Sequence, residues 1–255
     1  MKLPGQPVVE LRDVSLLIPV EGATKRSLKA NLVTGLTGGL LRREPRRSIG
    51  VEALSNLNLV IRSGERIALL GHNGAGKSTL LRLLCDIYSP SSGRINRSVS
   101  IEPMIDKSSW VDQDLTGYHA AKVQYLLNRN SLKGFDEFYG ELLAFTELAD
   151  FMHIPLRTYS DGMRTRLQFG LLTGFRHDAL ALDEGIGAGD QSFLNKAQDR
   201  LSSFLGNVGT LILASHSNDL LRQFCKRGVV LSHGRIVFDG GFEAAEAYYL
   251  SHLSE

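Results

Sequence analysis

Short apolar runs bounded by turn residues alternate along this chain with longer stretches of helical period, the pattern of an α/β protein. Arg66-Ile67-Ala68-Leu69-Leu70, Ala179-Leu180-Ala181-Leu182 and Leu211-Ile212-Leu213-Ala214 are nearly continuous apolar runs and predict buried strands. Upstream, Val8-Val9-Glu10-Leu11 and Val14-Ser15-Leu16-Leu17-Ile18 predict a strand pair with a turn at Arg12-Asp13. Leu57-Asn58-Leu59-Val60-Ile61 alternates like a strand, and Ser63-Gly64 turns it into the run that starts at Arg66. Ser78-Thr79-Leu80-Leu81-Arg82-Leu83-Leu84 predicts a helix, and Pro90-Ser91-Ser92-Gly93 a loop. From about residue 115 to residue 156 the chain lacks strand runs and reads mostly as helix. Tyr125-Leu126-Leu127 and Leu142-Leu143-Ala144-Phe145 supply its apolar faces. Gly234 to Gly240 predicts a last strand and turn, and Phe242 to Leu253 a short amphipathic helix. No internal repeat is present.

One segment breaks the pattern. Residues 21–50 carry Lys25, Arg26, Lys29, Arg42, Arg43, Arg46 and Arg47 against Glu21 and Glu44. Leu28, Leu32, Leu36 and Leu40 fall at helical spacing, but Gly35, Gly38 and Gly39 weaken a long helix. Two readings stand: a basic amphipathic segment beside anionic lipid or a membrane subunit, or a solvated insertion between strands.

Composition narrows the class. A formal charge of +2 carries no nucleic-acid signal. Cys85 and Cys225 are far apart and predict free thiols in a reducing compartment. No apolar run approaches the roughly 18 residues of a membrane span. The start, Met1-Lys2-Leu3-Pro4-Gly5, lacks the apolar core of a signal peptide. The expectation is a cytoplasmic chain whose membrane role, if any, comes through a partner.

The chemistry sits between strand and helix. Gly71-His72-Asn73-Gly74-Ala75-Gly76-Lys77-Ser78 fits G-x-x-x-x-G-K-[ST], the P-loop, in the strand–loop–helix context this motif requires. Backbone N–H groups across Gly71, Asn73, Gly74, Ala75, Gly76 and on to Thr79 can wrap a phosphate, and the helix N-terminus adds partial positive charge. Lys77 would reach the β- and γ-phosphates, and the Ser78 hydroxyl would ligate Mg²⁺. The run ending Leu182-Asp183-Glu184 is a Walker B pattern. Asp183 can hold Mg²⁺, and Glu184 can polarise an attacking water as general base. The strand ending at Ala214 delivers Ser215-His216, and His216 could bridge γ-phosphate and water. Strand ends of an open parallel sheet meet at one edge, so these residues gain meaning together.

Tyr159-Ser160-Asp161-Gly162-Met163 resembles the ABC-transporter signature, and Gly185-Ile186-Gly187-Ala188-Gly189-Asp190 resembles the D-loop, with Asp190 as its acid. With the P-loop, Walker B pair and His216, the chain is identified as a member of the ABC ATPase superfamily. Over nearly its whole length it resembles ATP-binding subunits of bacterial polysaccharide exporters, the O-antigen type above all. Ser27-Leu28-Lys29, Asp114-Leu115-Thr116-Gly117-Tyr118 and Ala214-Ser215-His216-Ser217 add to that likeness. The resemblance implies a P-loop NTPase fold with an N-terminal antiparallel β-subdomain and an inserted helical signature subdomain. As one nucleotide-binding domain over 1–255, its core would take about 1–105 and 176–255 and the helical subdomain about 115–175. It further implies two chains sandwiching two ATP molecules. Lys77, Ser78, Asp183, Glu184 and His216 would come from one chain, and the signature Ser160, Asp161, Gly162 and Met163 from the other. It implies that the chain sits peripherally at the cytoplasmic face of the inner membrane, beneath a pair of integral permease subunits that handle a lipid-linked polysaccharide. Capsule or teichoic-acid export, and a soluble ABC ATPase outside transport, are the alternatives.

Four departures from the family pattern stand out. Leu16-Leu17-Ile18-Pro19-Val20-Glu21 has no aromatic to stack a base, so weak base selectivity is expected. Around the glutamine loop only Gln113 is a candidate. His119-Ala120 stand where the family has E-N, at the expected permease contact. Asp161 places a carboxylate in the signature, which would repel a γ-phosphate unless it points away or meets Arg164 or Arg166.

Overall fold

The computed structural model describes residues 5–19, 40–43, 49–104, 112–183, 191–215 and 217–253. They divide into two units, one taking 1–105, 178–184 and 209–255, the other 106–177 and 185–208.

The first unit holds two sheets. In the antiparallel sheet, β1 (Pro7–Pro19) lies between β3 (Ile49–Arg62) and β5 (Ser92–Arg97), with β2 (Leu40–Arg43) outside β3. The expected strand pair at 8–18 is therefore one long strand. Arg12-Asp13 is an irregularity in its ladder, not a turn between strands. Asp13 takes φ 51°, its N–H donates to Asn58 Oδ1 (3.0 Å), and Asn58 Nδ2 donates back to Asp13 Oδ1 (2.9 Å). That exchange satisfies the backbone where the register slips, so the strand continues through a bulge. At Leu40–Arg43 the expected helical spacing also yields. The chain pairs there with β3, from Leu40 opposite Glu52 to Arg43 opposite Ile49, a ladder that overrides a helical repeat already broken by glycines. Residues 20–39 and 44–48 of the basic insertion lie outside the described residues.

The second sheet has the order β10-β9-β4-β8-β7-β6. Here β4 is Arg66–Leu70, β6 Glu102–Met104, β7 Ala179–Leu182, β8 Thr210–Ala214, β9 Arg227–Ser232 and β10 Arg235–Gly241. All neighbours are parallel except the β9–β10 hairpin. The strands β4, β7 and β8 are buried almost throughout, as continuous apolar runs of a parallel sheet should be. Helix α1 (Lys77–Leu84) buries Leu80, Leu81, Leu83 and Leu84 in one core with Leu54, Leu57 and Ile61 of β3 and Ile67, Ile212 and Val229 of the sheet. Arg227 binds Asp239 through two nitrogens (2.7 and 2.6 Å) and Glu65 through a third (2.9 Å), tying β9 and β10 to the turn before β4. These hydrogen bonds, that to Asp239 foremost, raise the guanidinium's pKa.

The second unit is helical: α2 (Gly117–Arg129), α3 (Phe135–Thr146), α4 (Asp161–Thr173) and α5 (Gln191–Asn207), with 3₁₀ turns at Ala149–Phe151 and Leu156–Thr158. Tyr125, Phe135, Phe138 and Phe175 form an aromatic core with Leu142, Leu167 and Leu171. Helix α5 groups with this unit, whereas the resemblance put about 176–255 with the core. Ala197 packs on Phe145 and Phe169, and the Arg200 guanidinium lies 4.2 Å from the Phe145 ring and donates to Thr173 Oγ1 (2.6 Å). Burial lowers the pKa of this guanidinium.

Candidate phosphate-binding site

Strand β4 ends at Leu70 and the P-loop follows directly, as its sequence predicts. Gly71 takes φ +147° against β9, where a Cβ would come within 2.4 Å of the Leu231 carbonyl oxygen. Gly76, at φ +107°, stands at the N-cap of α1 with no side-chain cap, and no acidic residue lies in the first turn. With neither a capping side chain nor a carboxylate there, the helix end favours an anion. The Lys77 ammonium folds back over the loop and donates to the carbonyls of Gly71 (2.5 Å) and His72 (3.2 Å). Ala75 N–H donates to the same His72 carbonyl (3.1 Å), closing the turn. Asn73 and Gly74 are exposed, Ala75 is buried, and Ser78 and Thr79 are half-buried at the start of α1.

The parallel register brings the other strand ends to the same edge. Leu69 lies opposite Ala214, and Leu182 opposite Leu213, so β4, β7 and β8 finish together. Asp183 follows β7, half-buried, its N–H donating to the Met104 carbonyl (3.1 Å). Glu184, Asp190 and His216 lie outside the described residues. Mg²⁺ is a hard cation that takes oxygen ligands, and the hydroxyl of Ser78 and carboxylate of Asp183 are ligands of that kind. The loop that narrows to backbone at Gly71 fits a phosphate chain.

In the helical unit Ser160 caps α4, its hydroxyl accepting from Met163 N–H (3.2 Å). Asp161 opens the helix fully exposed, 3.9 Å from Arg164. Arg164 in turn donates to the Tyr159 carbonyl, and Arg166 pairs with Glu147 (3.5 Å). A carboxylate in the first turn suits the helix dipole, which accounts for Asp161 locally. Gly162 has nothing within 3.9 Å of where its Cβ would stand. Gln113 is exposed in the turn before α2, and its carbonyl accepts from Arg157 N–H (2.9 Å). His119 takes the third helical position behind the N-cap Thr116. Its N–H donates to Thr116 Oγ1 (3.3 Å) and its Nδ1 lies 3.0 Å from that oxygen, so the ring braces the capping hydroxyl. A cavity of about 300 Å³ between the ends of α4 and α5, lined by Thr173, Arg176, His177 and Arg200, contains none of these site residues.

One histidine of the P-loop and one beside it were given no role by the sequence reading. His72 and His233 place their ring centroids 5.2 Å apart. His233-Gly234 between two apolar runs is a hairpin signal, but nothing in it names the loop that the hairpin meets.

Comparison with known proteins decides the family. The ABC transporter family model matches residues 54–187, which span P-loop, signature and Walker B. The chain belongs to the ABC transporter family. This ABC protein is 37% identical to the O-antigen export system ATP-binding protein RfbE of Yersinia enterocolitica, over 88% of its own length and 94% of that protein. It is 30% identical to the O-antigen export system ATP-binding protein RfbB of Myxococcus xanthus, over 89% of its own length and 52% of the relative. It is also 30% identical to the teichoic acids export ATP-binding protein TagH of Bacillus anthracis, over 80% of its own length and 37% of the relative. Among solved structures, an ATP binding subunit of an ABC transporter superposes with TM-score 0.65 at 18% identity, over 97% of this chain and 95% of that one. The ATP-binding cassette MJ0796, solved as a dimer in a post-hydrolysis state with ADP and Pi, superposes with TM-score 0.61 at 18% identity, over 91% and 98%. The ABC ATPase fold expected from the motifs is the fold observed. Among the described residues no helix is long and apolar enough to cross a membrane.

Proposed function

We propose that this ABC ATPase hydrolyses MgATP to power export of a lipid-linked surface polysaccharide, most simply an O-antigen, across the inner membrane. The observation that carries this reading is likeness over 94% of an O-antigen export ATP-binding protein, in a chain whose P-loop is built for phosphate. Lys77 and the loop N–H groups hold the phosphates, and Ser78 and Asp183 hold Mg²⁺. Glu184 polarises the attacking water, His216 bridges water and γ-phosphate, and Gln113 and Asp190 couple the site to its surroundings. Two chains close head to tail, each offering Ser160 and Gly162 to its partner's nucleotide. Such a site closes only while ATP bridges it, and hydrolysis removes the bridge. A pair of permease subunits follows that motion from the cytoplasmic face of the membrane.

The test is a pull-down. Tagged Glu184→Gln chain is recovered from membranes in mild detergent with ATP and magnesium. A small multi-span membrane protein is the expected companion. Recovery of only soluble partners or nucleic acid refutes the transport reading. The Mg-ATPase of the purified wild-type chain should exceed that of Glu184→Gln by at least about 100-fold, the scale of a lost general base.

A further inference from the structure

The turn between β9 and β10 is out of the ordinary. Its two central residues, His233 and Gly234, take φ 46° and 73°, the signs of a type I′ turn. Asn-Gly is the usual pair there, and His is among the residues that accept positive φ, so what marks this turn is where it sets the ring. The turn is clamped in place. Gly234 N–H donates to the Ala75 carbonyl in the P-loop (3.0 Å), and the Gly234 carbonyl accepts from Ser55 N–H (2.8 Å). A Cβ on Gly234 would stand 2.5 Å from the Ala53 carbonyl oxygen, so hairpin, β3 and P-loop meet backbone to backbone. From this platform the exposed His233 ring meets the half-buried His72 ring, centroids 5.2 Å apart and tilted 56°. His72 in turn places Nδ1 2.8 Å from the Asn73 carbonyl. A carbonyl only accepts, so Nδ1 carries the hydrogen.

A peptide unit is planar, with its C=O and N–H on opposite sides. Holding the Asn73 carbonyl on the His72 ring therefore aims the Gly74 N–H the other way. The His72 carbonyl is held as well, by Ala75 N–H and by the Lys77 ammonium. The His72 ring thus sets the orientation of the Asn73–Gly74 peptide, next to a peptide that Ala75 and Lys77 already hold, and the His233 ring limits where the His72 ring can go. We propose that His233 is a positioning residue for the phosphate loop, acting through His72. The proposal rests on reading this loop as the ATP phosphate site.

The decisive variant is His233→Asn, because Asn-Gly is the preferred type I′ pair and the turn itself survives. Full-length wild type, His233→Asn, His72→Ala, the double variant and Lys77→Ala are compared. Binding of Mg–AMP-PNP is measured by calorimetry, ATP turnover at steady state, and the thermal midpoint by circular dichroism. The expected result for His233→Asn is a Kd and KM raised about 3- to 10-fold, the scale of one ring–ring contact, with kcat within about twofold and the midpoint not lowered. The double variant should bind no worse than His72→Ala alone, because the proposed effect of His233 on the loop runs through that ring. Wild-type affinity in His233→Asn, or independent multiplying effects of the two substitutions, overturns the proposal while leaving the phosphate site standing. Equal nucleotide binding by Lys77→Ala and wild type overturns the phosphate site itself, and the positioning role with it.

Discussion

Two glycines on helix α4 make opposite predictions, and together they test what the signature is for. Gly162 lies in the first turn, and a methyl group there would meet only Ser160 Oγ at 3.9 Å, an ordinary contact. Gly170 lies two turns on, and its methyl would stand 2.7 Å from Leu142 Cδ1, 2.9 Å from Thr146 Cγ2 and 3.2 Å from Phe145 Cδ1. All three neighbours are buried, with Leu142 and Thr146 at 1% and 0% exposure, so they have little room to yield. Alanine in place of a helical glycine gains about 0.5–1 kcal/mol. At Gly162 nothing opposes that gain, and the unfolding midpoint should rise by about 1–4 °C. At Gly170 overpacking costs about 1–3 kcal/mol, so the net loss reaches about 2.5 kcal/mol and the midpoint should fall by up to about 10 °C. Function should divide the other way. Among the described residues only Ser160 Oγ lies within 4 Å of the open side of Gly162, and on the proposed signature reading that side admits a group of the partner's nucleotide. Gly162→Ala should reduce ATPase activity at least tenfold in a better-folded protein, while Gly170→Ala should keep turnover per folded molecule. The assay is circular dichroism at 222 nm with coupled-enzyme ATPase on the same preparations. A Gly162→Ala protein that is less stable shows that the chain itself needs this glycine. One that is more stable and fully active refutes the signature role.

The Asp161 carboxylate is fully exposed and 3.9 Å from Arg164. Asp161→Ser should therefore leave ATPase activity intact or raise it, and a large loss at saturating ATP would show that the acid takes part in the reaction. The two thiols make a pH prediction. Burial pushes both Cys85 and Cys225 up to about 12, with Glu102 adding to the effect at Cys85 and Arg97 opposing it. At pH 8 a thiol of pKa near 12 is thiolate in about one molecule in ten thousand, so Ellman's reagent should leave the native chain unlabelled and titrate two thiols after denaturation. Because the folded values lie above the ordinary 9.0, the stability they contribute is present below pH 9 and lost as pH rises towards 12. Urea midpoints should accordingly fall between pH 8.5 and 10.5, and less steeply in Cys85→Ala. Prompt labelling of the native chain at pH 8 would contradict the burial.

Much of the candidate site was legible because its signals are local. Phosphate binding needs a tight glycine loop between a buried strand and a helix, and those parts are contiguous from Arg66 to Leu84. Walker B and signature are likewise short runs whose residue types match their chemistry at fixed spacing. The caps at Thr116 and Ser160 are local too, since an N-cap involves neighbours three residues apart, but the sequence reading did not name them. A bulge is another matter. At Arg12-Asp13 the sequence offers a turn-forming acid between two apolar runs, and a turn and a bulge look alike until Asn58 of another strand supplies the hydrogen bonds.

By itself, then, the chain's sequence determined its buried parallel strands, the P-loop, the placing of the signature ahead of Walker B, and through them the family. Periodicity and motif chemistry depend on residues a few positions apart. Tertiary structure alone decided that 7–19 is one strand, that Leu40–Arg43 pairs with β3, that α5 packs with the helical unit through Phe145 and Arg200, and that the β9–β10 turn sets His233 against His72. Each of these is a contact between segments distant in sequence. Such contacts arise from the packing of whole elements, and no pattern within one element encodes which partner it will meet.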